Sequence, residues 1–398
     1  MKKFLILFLL FIPVLVNCLE YPNVDSKVVE IYDLNDKKIL YEKGSNNKIS
    51  IASLTKIATT ITAIENIENL DEKVTITNYM LNTVDIEASV AGLKAGDRLT
   101  YRDLLYASML PSGADATNSL AILISGSIDE FVKKMNELKD KLNLDNTHFV
   151  NVTGLDIKSH YSTKDDVRKL LEYALKNKLF REIFTTKEYK MSNGKIVKST
   201  LYKYGSNTKA IDKILGSKTG YTGDAGYCLS SLVNINGHEI LIIVLNASRN
   251  NNSFYNIIDT LDLINFMENN YEYRTLIENN ILIKSLPINL SKQESYEIYS
   301  DRQITKYLPS DYNIDSFKYE YIGLEELSYK NKVEEKIGTI NYYYENELLY
   351  TQDVILNEKI DMDFFKIVKK HYILVISIFA IIILTITLLI IKRKRVNK

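Results

Sequence analysis

The chain has 398 residues, and its 50 acidic and 50 basic side chains leave a formal net charge of zero. That balance offers no basic excess for nucleic acid, so a nucleic-acid partner is excluded. A chain of this length makes two domains, or one large and one small, and 46% apolar content fills a real core.

Met1-Lys2-Lys3 followed by the apolar run Phe4 to Val16 has the form of a signal peptide, taken as residues 1–18. Asn17 before Cys18 stands where a lipoprotein site wants a small residue. Removal of that segment leaves Cys228 alone, with no intrachain disulfide. Val28–Tyr32 and Lys38–Tyr41, around Asn35-Asp36, read as a β-hairpin. Ile51, Leu54, Ile57, Ala58, Ile61 and Ile64 are spaced as one helix face. Leu104–Leu110 and Asp115–Ile124 read as helices separated by Pro111-Ser112-Gly113. Ile128–Leu142 and Thr163–Lys176 are also helical in pattern. Tyr227–Asn234 and His238–Asn246 are strands joined by Asn236-Gly237, a strong hairpin turn. Leu261–Asn269 closes this region as a helix. The order strand, helices, strands, helix predicts an α+β domain over 19–273.

Short strands dominate beyond it: Ile281–Ile283, Tyr296–Tyr299, Lys318–Ile322, Ile337–Tyr344 and Leu348–Val354. They predict a small β-rich spacer domain over 274–356, followed by a polar linker over 357–372. Ile373–Ile391 carries no charge, and its nineteen residues span about 28 Å as a helix, close to a bilayer's hydrocarbon thickness. Lys392-Arg393-Lys394-Arg395 follows at once. The positive-inside rule then makes 392–398 a cytoplasmic tail and places the body outside a single-pass anchor in the lipid bilayer.

The four histidines (His148, His160, His238 and His371) have no metallopeptidase spacing, so no metal or cofactor is expected. Nucleophilic acyl transfer is the chemistry the remaining motifs support. It needs an activated hydroxyl, a base beside it, a proton route to the leaving group and donors for the oxyanion. Ser53-Leu54-Thr55-Lys56 supplies the first pair, since positions three apart on a helix share a face. Burial by Ile51, Leu54 and Ile57 lowers a lysine pKa and makes a neutral amine base. Ser-x-x-Lys also occurs at Ser45, Ser192 and Ser206, but only the tetrad at Ser53 sits in an apolar helical pattern. Ser112, in Leu110-Pro111-Ser112-Gly113-Ala114-Asp115, is either a proton relay or part of a helix-start turn. Gly216-Ser217-Lys218-Thr219-Gly220 is either a solvated loop or a strand edge with Lys218 and Thr219 facing a cleft. In the second case Gly220 lets a ligand approach the backbone.

Helical Ser-x-x-Lys, a serine loop about sixty residues later and Lys-Thr-Gly entering a late strand is the motif order of penicillin-binding proteins and class A β-lactamases. With these motifs, the segments "ISIASLTKIATT", "AGLKAGDRLTYRDLLYASMLPSGADAT", "NTHFVNVTGLD", "HYSTKDD" and "GSKTGYTGDAGYCLSS" resemble the low-molecular-mass penicillin-binding proteins. Within that group the likeness is to the D-alanyl-D-alanine carboxypeptidases of serine peptidase family S11. It covers about Lys27 to Tyr273, and it implies a β-lactamase/transpeptidase-like domain ahead of the β-rich domain and the transmembrane helix.

The resemblance also implies roles. Ser53 is acylated by the penultimate D-Ala carbonyl of a peptidoglycan stem peptide, and β-lactam antibiotics acylate the same serine. Lys56 is the base and Ser112 relays a proton to the departing D-Ala. Lys218 and Thr219 hold the terminal carboxylate. Gly220 gives access, and the backbone N–H groups of Ser53 and Tyr221 form the oxyanion hole. Arg249 corresponds to an arginine near the carboxylate. Two positions depart from the pattern: Ile51 replaces the usual proline, and Ala114 replaces the Asn of Ser-x-Asn. Three readings follow: a carboxypeptidase that trims stem pentapeptides at the outer face of a bacterial membrane, a β-lactamase, or a weakly active peptidoglycan-binding protein.

Overall fold

The computed structural model describes residues 19–205, 209–250 and 253–396, so the expected signal peptide lies outside the described residues. The chain divides into two compact units, one over Glu20–Asn270 and one dominated by Tyr271–Lys398.

In the first unit β1 (Val28–Asp33) and β2 (Lys38–Lys43) form the predicted hairpin, with Lys37 in the left-handed region at φ 54°. A single 3₁₀ turn, Ala52–Leu54, leads into α1 (Thr55–Asn66). Two short strands, β3 (Lys73–Thr75) and β4 (Arg98–Thr100), pair around α2 (Asn78–Asn82). Next come α3 (Tyr101–Met109), α4 (Ala114–Ser125), α5 (Ile128–Lys141), α6 (Lys164–Leu175) and α7 (Lys178–Thr185). Then follow the β5 (Glu188–Lys190)/β6 (Ile196–Lys198) hairpin and α8 (Thr200–Gly205). The unit ends with β7 (Ile214–Thr222), β8 (Gly226–Ile235), β9 (His238–Ala247) and α9 (Tyr255–Asn270).

Helix starts follow their caps. α3 begins three residues before the apolar pattern does. Thr100 accepts from the Asp103 N–H while Asp103 accepts from the Thr100 N–H, a reciprocal capping box. Ser127 and Thr163 cap α5 and α6 in the same way on one side. α4 stops at Gly126, which takes φ 79°.

Five strands form an antiparallel sheet in the order β2-β1-β9-β8-β7, leaving β7 as an edge strand. Its centre is saturated with apolar side chains: every residue from Ile240 to Leu245 is buried, which suits a strand covered on both faces. α1 is also buried along most of its length, so it runs through the core rather than over it. Asn236 and Gly237, at φ 53° and 92°, make the β8–β9 turn as the sequence predicts.

The second unit is β-rich. Tyr271–Ile277 pairs with Ile304–Pro309, Leu282–Asn289 with Ser295–Tyr299, and Phe317–Gly323, Lys336–Tyr344 and Glu347–Ile355 form a three-stranded sheet. Leu286, Ile298, Ile340, Tyr342 and Leu356 fill its core. The stretch read as a polar linker contains a short helix, α10 (Phe364–Lys370), capped by Asp363. α11 (Tyr372–Val396) includes Tyr372–Ile391, long and apolar enough to cross a membrane. The hydroxyls of Ser377, Thr385 and Thr387 each donate to the carbonyl four residues back, which pairs them in an apolar surround.

Candidate active site

Ser53 does not lie within α1, as the apolar spacing predicts, but in the 3₁₀ turn that precedes it. Ala52 takes φ 47°, a left-handed conformation that costs a non-glycine residue energy and is held here by packing. The three-residue spacing still brings the side chains together. Lys56 Nζ donates to Ser53 Oγ at 3.1 Å and to the Thr153 carbonyl at 2.9 Å. Lys56 is only 2% exposed, and burial pushes its pKa down to about 7, with Asp115 opposing that shift.

The loop that supplies the Thr153 carbonyl is pressed against the turn that carries Ser53. A Cβ on Gly154 would stand 1.9 Å from the Ala52 carbonyl oxygen, and Gly154 takes φ 86°, so glycine is required on both counts. Beneath the turn, His160 Nδ1 accepts from the Val150 N–H at 3.2 Å, which leaves Nε2 to donate to Thr55 Oγ1 at 2.7 Å. Burial lowers the His160 pKa to about 4, in keeping with a neutral ring. Asp156 accepts from Ser50 Oγ at 2.7 Å, Thr222 Oγ1 at 2.7 Å and the Asp224 N–H at 3.0 Å. One carboxylate thereby ties the approach to Ser53 to the end of β7.

Ser112 stands in the break before α4 at φ 60°. Its hydroxyl is buried and has no hydrogen-bond partner among the described residues. Asp115 is not merely a helix-start acid. Its carboxylate accepts from the N–H groups of Ala91, Gly92 and Leu93 at 2.7–2.8 Å, fastening that segment to α4. Ala114 is buried and offers no side-chain polar atom where the family pattern has an amide.

The Lys-Thr-Gly triplet lies in β7, not in a solvated loop. Its two polar residues differ in setting: Thr219 lines the cleft and Lys218 is buried. Thr219 lines the cleft with its hydroxyl 2.5 Å from Thr200 Oγ1. Lys218 turns beneath, 1% exposed, with Nζ donating to the Thr219 carbonyl at 2.8 Å. Burial holds its pKa well below the usual lysine range, and the charge of Lys56 lowers it further. A Cβ on Gly220 would lie 3.0 Å from Ala52 Cβ and 3.1 Å from Ser53 N, so β7 runs directly beside the turn that carries Ser53. Behind it Gly220 pairs with Cys228, whose wholly buried thiol is pushed up to about 12.

A cavity of about 240 Å³ brings together Ser53, Ser112, Thr219, Gly220 and Tyr221, with the two lysines behind its wall. The side chain of Arg249 lies outside the described residues. Sequence reasoning missed the Thr153 carbonyl, His160, Asp156, Thr200 and Glu87. The first three fall in the "NVTGLD" and "HYSTKDD" segments. Thr200 and Glu87 have no local signature.

The family model for D-alanyl-D-alanine carboxypeptidase, Peptidase S11, matches residues 16–249. The D-alanyl-D-alanine carboxypeptidase DacF of Bacillus subtilis is 28% identical over 338 residues, covering 84% of this chain and 85% of the relative. A D-alanyl-D-alanine carboxypeptidase of Streptomyces sp. is 36% identical over 227 residues, covering 52% of this chain and 75% of the relative. Penicillin binding protein 5 from Haemophilus influenzae shares the fold, with a TM-score of 0.61 at 20% identity over 86% of this chain and all of that one. The Streptomyces DD-transpeptidase aligns with a TM-score of 0.55 at 30% identity over 62% of this chain and 98% of its own. The motif order, the serine–lysine pair in its cleft and these matches lead to one conclusion: the chain belongs to the peptidase S11 family of D-alanyl-D-alanine carboxypeptidases.

Proposed function

We propose that Ser53 is the nucleophile of a serine-type D-Ala-D-Ala carboxypeptidase, with Lys56 as its base. The carrying observation is the 3.1 Å contact between Lys56 Nζ and Ser53 Oγ, in a site whose burial favours the neutral amine. Lys56 takes the Ser53 proton as Oγ attacks the penultimate D-Ala carbonyl. The Ser53 and Tyr221 N–H groups hold the oxyanion. The C–N bond to the terminal D-Ala then breaks. Ser112, whose buried hydroxyl lines the cavity, passes a proton to the departing amine. Water hydrolyses the ester and frees Ser53. Thr219 and Lys218 hold the terminal carboxylate, whose own charge favours the protonated Lys218 amine; Gly220 keeps the approach open, and the resemblance assigns Arg249 to the same carboxylate.

The substrate is the peptidoglycan stem pentapeptide, and β-lactams acylate the same serine. The catalytic domain covers 19–273 and the β-rich domain 274–356. The segment over 357–372 leads to a bilayer-spanning helix over 373–391, with a cytoplasmic tail over 392–398 and the catalytic domain outside. The unbroken apolar run and the basic residues after it support this topology.

Ala114 motivates a second reading, a peptidoglycan-binding protein of low turnover. The test is D-Ala release from a pentapeptide together with labelling by a fluorescent penicillin. Stable labelling and D-Ala release, both lost in Ser53→Ala, are expected. Labelling without release supports the low-turnover reading. Rapid loss of the label with antibiotic turnover indicates a β-lactamase instead.

A further inference from the structure

Glu87 is the one charged side chain lining the cavity among the described residues; hydroxyls, aromatic rings, Gly220, Asn256 and Ile257 make up the rest. It is exposed, and its carboxylate has no ion-pair or hydrogen-bond partner among the described residues. The acyl-transfer step proposed at Ser53 gives it no task.

Its place is nonetheless fixed. Asp85 Oδ1 accepts from the Glu87 N–H at 2.9 Å, and the Asp85 carbonyl from the Ala88 N–H at 3.1 Å. Upstream, Asn118 of α4 donates to the carbonyl and hydroxyl of Thr83, both at 3.0 Å. Downstream, the Ala114 N–H donates to the Ser89 carbonyl at 2.7 Å, and Asp115 holds Ala91 to Leu93. The segment over 83–93 is therefore fastened at both ends to the helix that starts two residues after Ser112.

We infer that Glu87 makes this enzyme select stem peptides carrying a free ammonium on the residue just before D-Ala-D-Ala, that is, a diamino acid with its side-chain amine unblocked. The inference rests on Ser53 being the nucleophile. The leaving D-Ala ends in a carboxylate, which an acid would repel, so that end belongs to Thr219 and Lys218. Glu87 is then left for the acyl side of the scissile bond. A diamino acid at that position has its side-chain amine charged in an uncross-linked stem. The same nitrogen is a neutral amide once the stem is cross-linked through it. A carboxylate at this point favours the first state and gains nothing from the second. The specificity consequence is a preference for stems that have not been cross-linked through that amine.

The test measures D-Ala release by the full-length chain in detergent from two peptides, Nα-acetyl-L-lysyl-D-Ala-D-Ala and its Nα,Nε-diacetyl counterpart. Wild type should prefer the free amine roughly three- to tenfold in kcat/KM, mostly through KM, and less so at high salt. Glu87→Gln should bring the ratio close to one. Glu87→Lys should favour the diacetyl peptide and favour an Nε-succinyl peptide still more. A ratio that is the same in wild type and both variants overturns the role of Glu87. Release from either peptide that survives Ser53→Ala overturns the nucleophile instead, and no release by wild type overturns both.

Discussion

Lys56 places its amine 3.1 Å from the hydroxyl of Ser53 while remaining almost wholly out of solvent. The same carbonyl that steadies the amine, Thr153 at 2.9 Å, aims one N–H away from the serine and so orients the rest of the group toward it. Activation and burial are one arrangement here, and that makes it accessible to pH.

Only the neutral amine accepts the serine proton. With the Lys56 pKa lowered to about 7, acylation by a fluorescent penicillin should rise with pH through a midpoint near 7 and level off above 8. Lys56→Arg, whose guanidinium stays charged, should remove that rise and lower the rate by about three orders of magnitude or more. Stopped-flow labelling from pH 5.5 to 9 checks both.

The same shift is a stability statement. An unfolded lysine keeps its proton up to about 10.5, whereas folded Lys56 gives it up near 7, so the unfolded chain binds more protons across that window. Stability should therefore rise as pH is raised from about 7 toward 10.5, and the rise should be smaller in Lys56→Met. Thermal melts at pH 7, 8 and 9 measure the difference.

Two glycines near Ser53 should fail in different ways. Gly154→Ala drives a Cβ into the Ala52 carbonyl at a left-handed φ and should cost roughly 2–4 kcal/mol of stability. Gly220→Ala meets Ala52 Cβ and Ser53 N at 3.0–3.1 Å, a gap that a small shift of the turn relieves. Its melting temperature should move little, while acylation should slow about tenfold or more because the shift displaces the nucleophile. Melting curves and labelling rates on the same samples separate the two.

Asp115→Asn replaces an acceptor with a group that presents N–H to the Ala91–Leu93 amides. Losing charge-assisted bonds to three donors should cost about 2–4 kcal/mol and raise hydrogen exchange selectively over 83–93. Ala114→Asn, by contrast, restores the amide of the family pattern. Regaining one substrate hydrogen bond of about 1–3 kcal/mol should raise kcat/KM for D-Ala release five- to a hundredfold.

The parts of this architecture that the sequence announces are those with a local physical signature. The Asn236-Gly237 turn, the buried run at Ile240–Leu245 and the apolar face of α1 follow from neighbours along the chain. Ser53 and Lys56 meet because they are three residues apart. Long-range pairings left no such trace. Nothing near Thr153 marks its carbonyl as the partner of an amine 97 residues away, and nothing near Glu87 shows that it shares a cavity with Ser53. The burial of Lys218 depends on what packs against β7, which the triplet alone does not reveal. The 3₁₀ turn at Ala52–Leu54 arises from packing against Gly154 and Gly220, both remote in sequence.

Cys228 sits on the strand behind Gly220, wholly buried and with its thiol pushed up to about 12. A sulfur in that state is neither ionised nor reachable, so peroxide, disulfides and alkylating agents find no thiolate next to β7. Loss of activity under oxidants would then track unfolding of the sheet rather than chemistry at the cleft, which makes oxidant tolerance a direct readout of how tightly β7 is held.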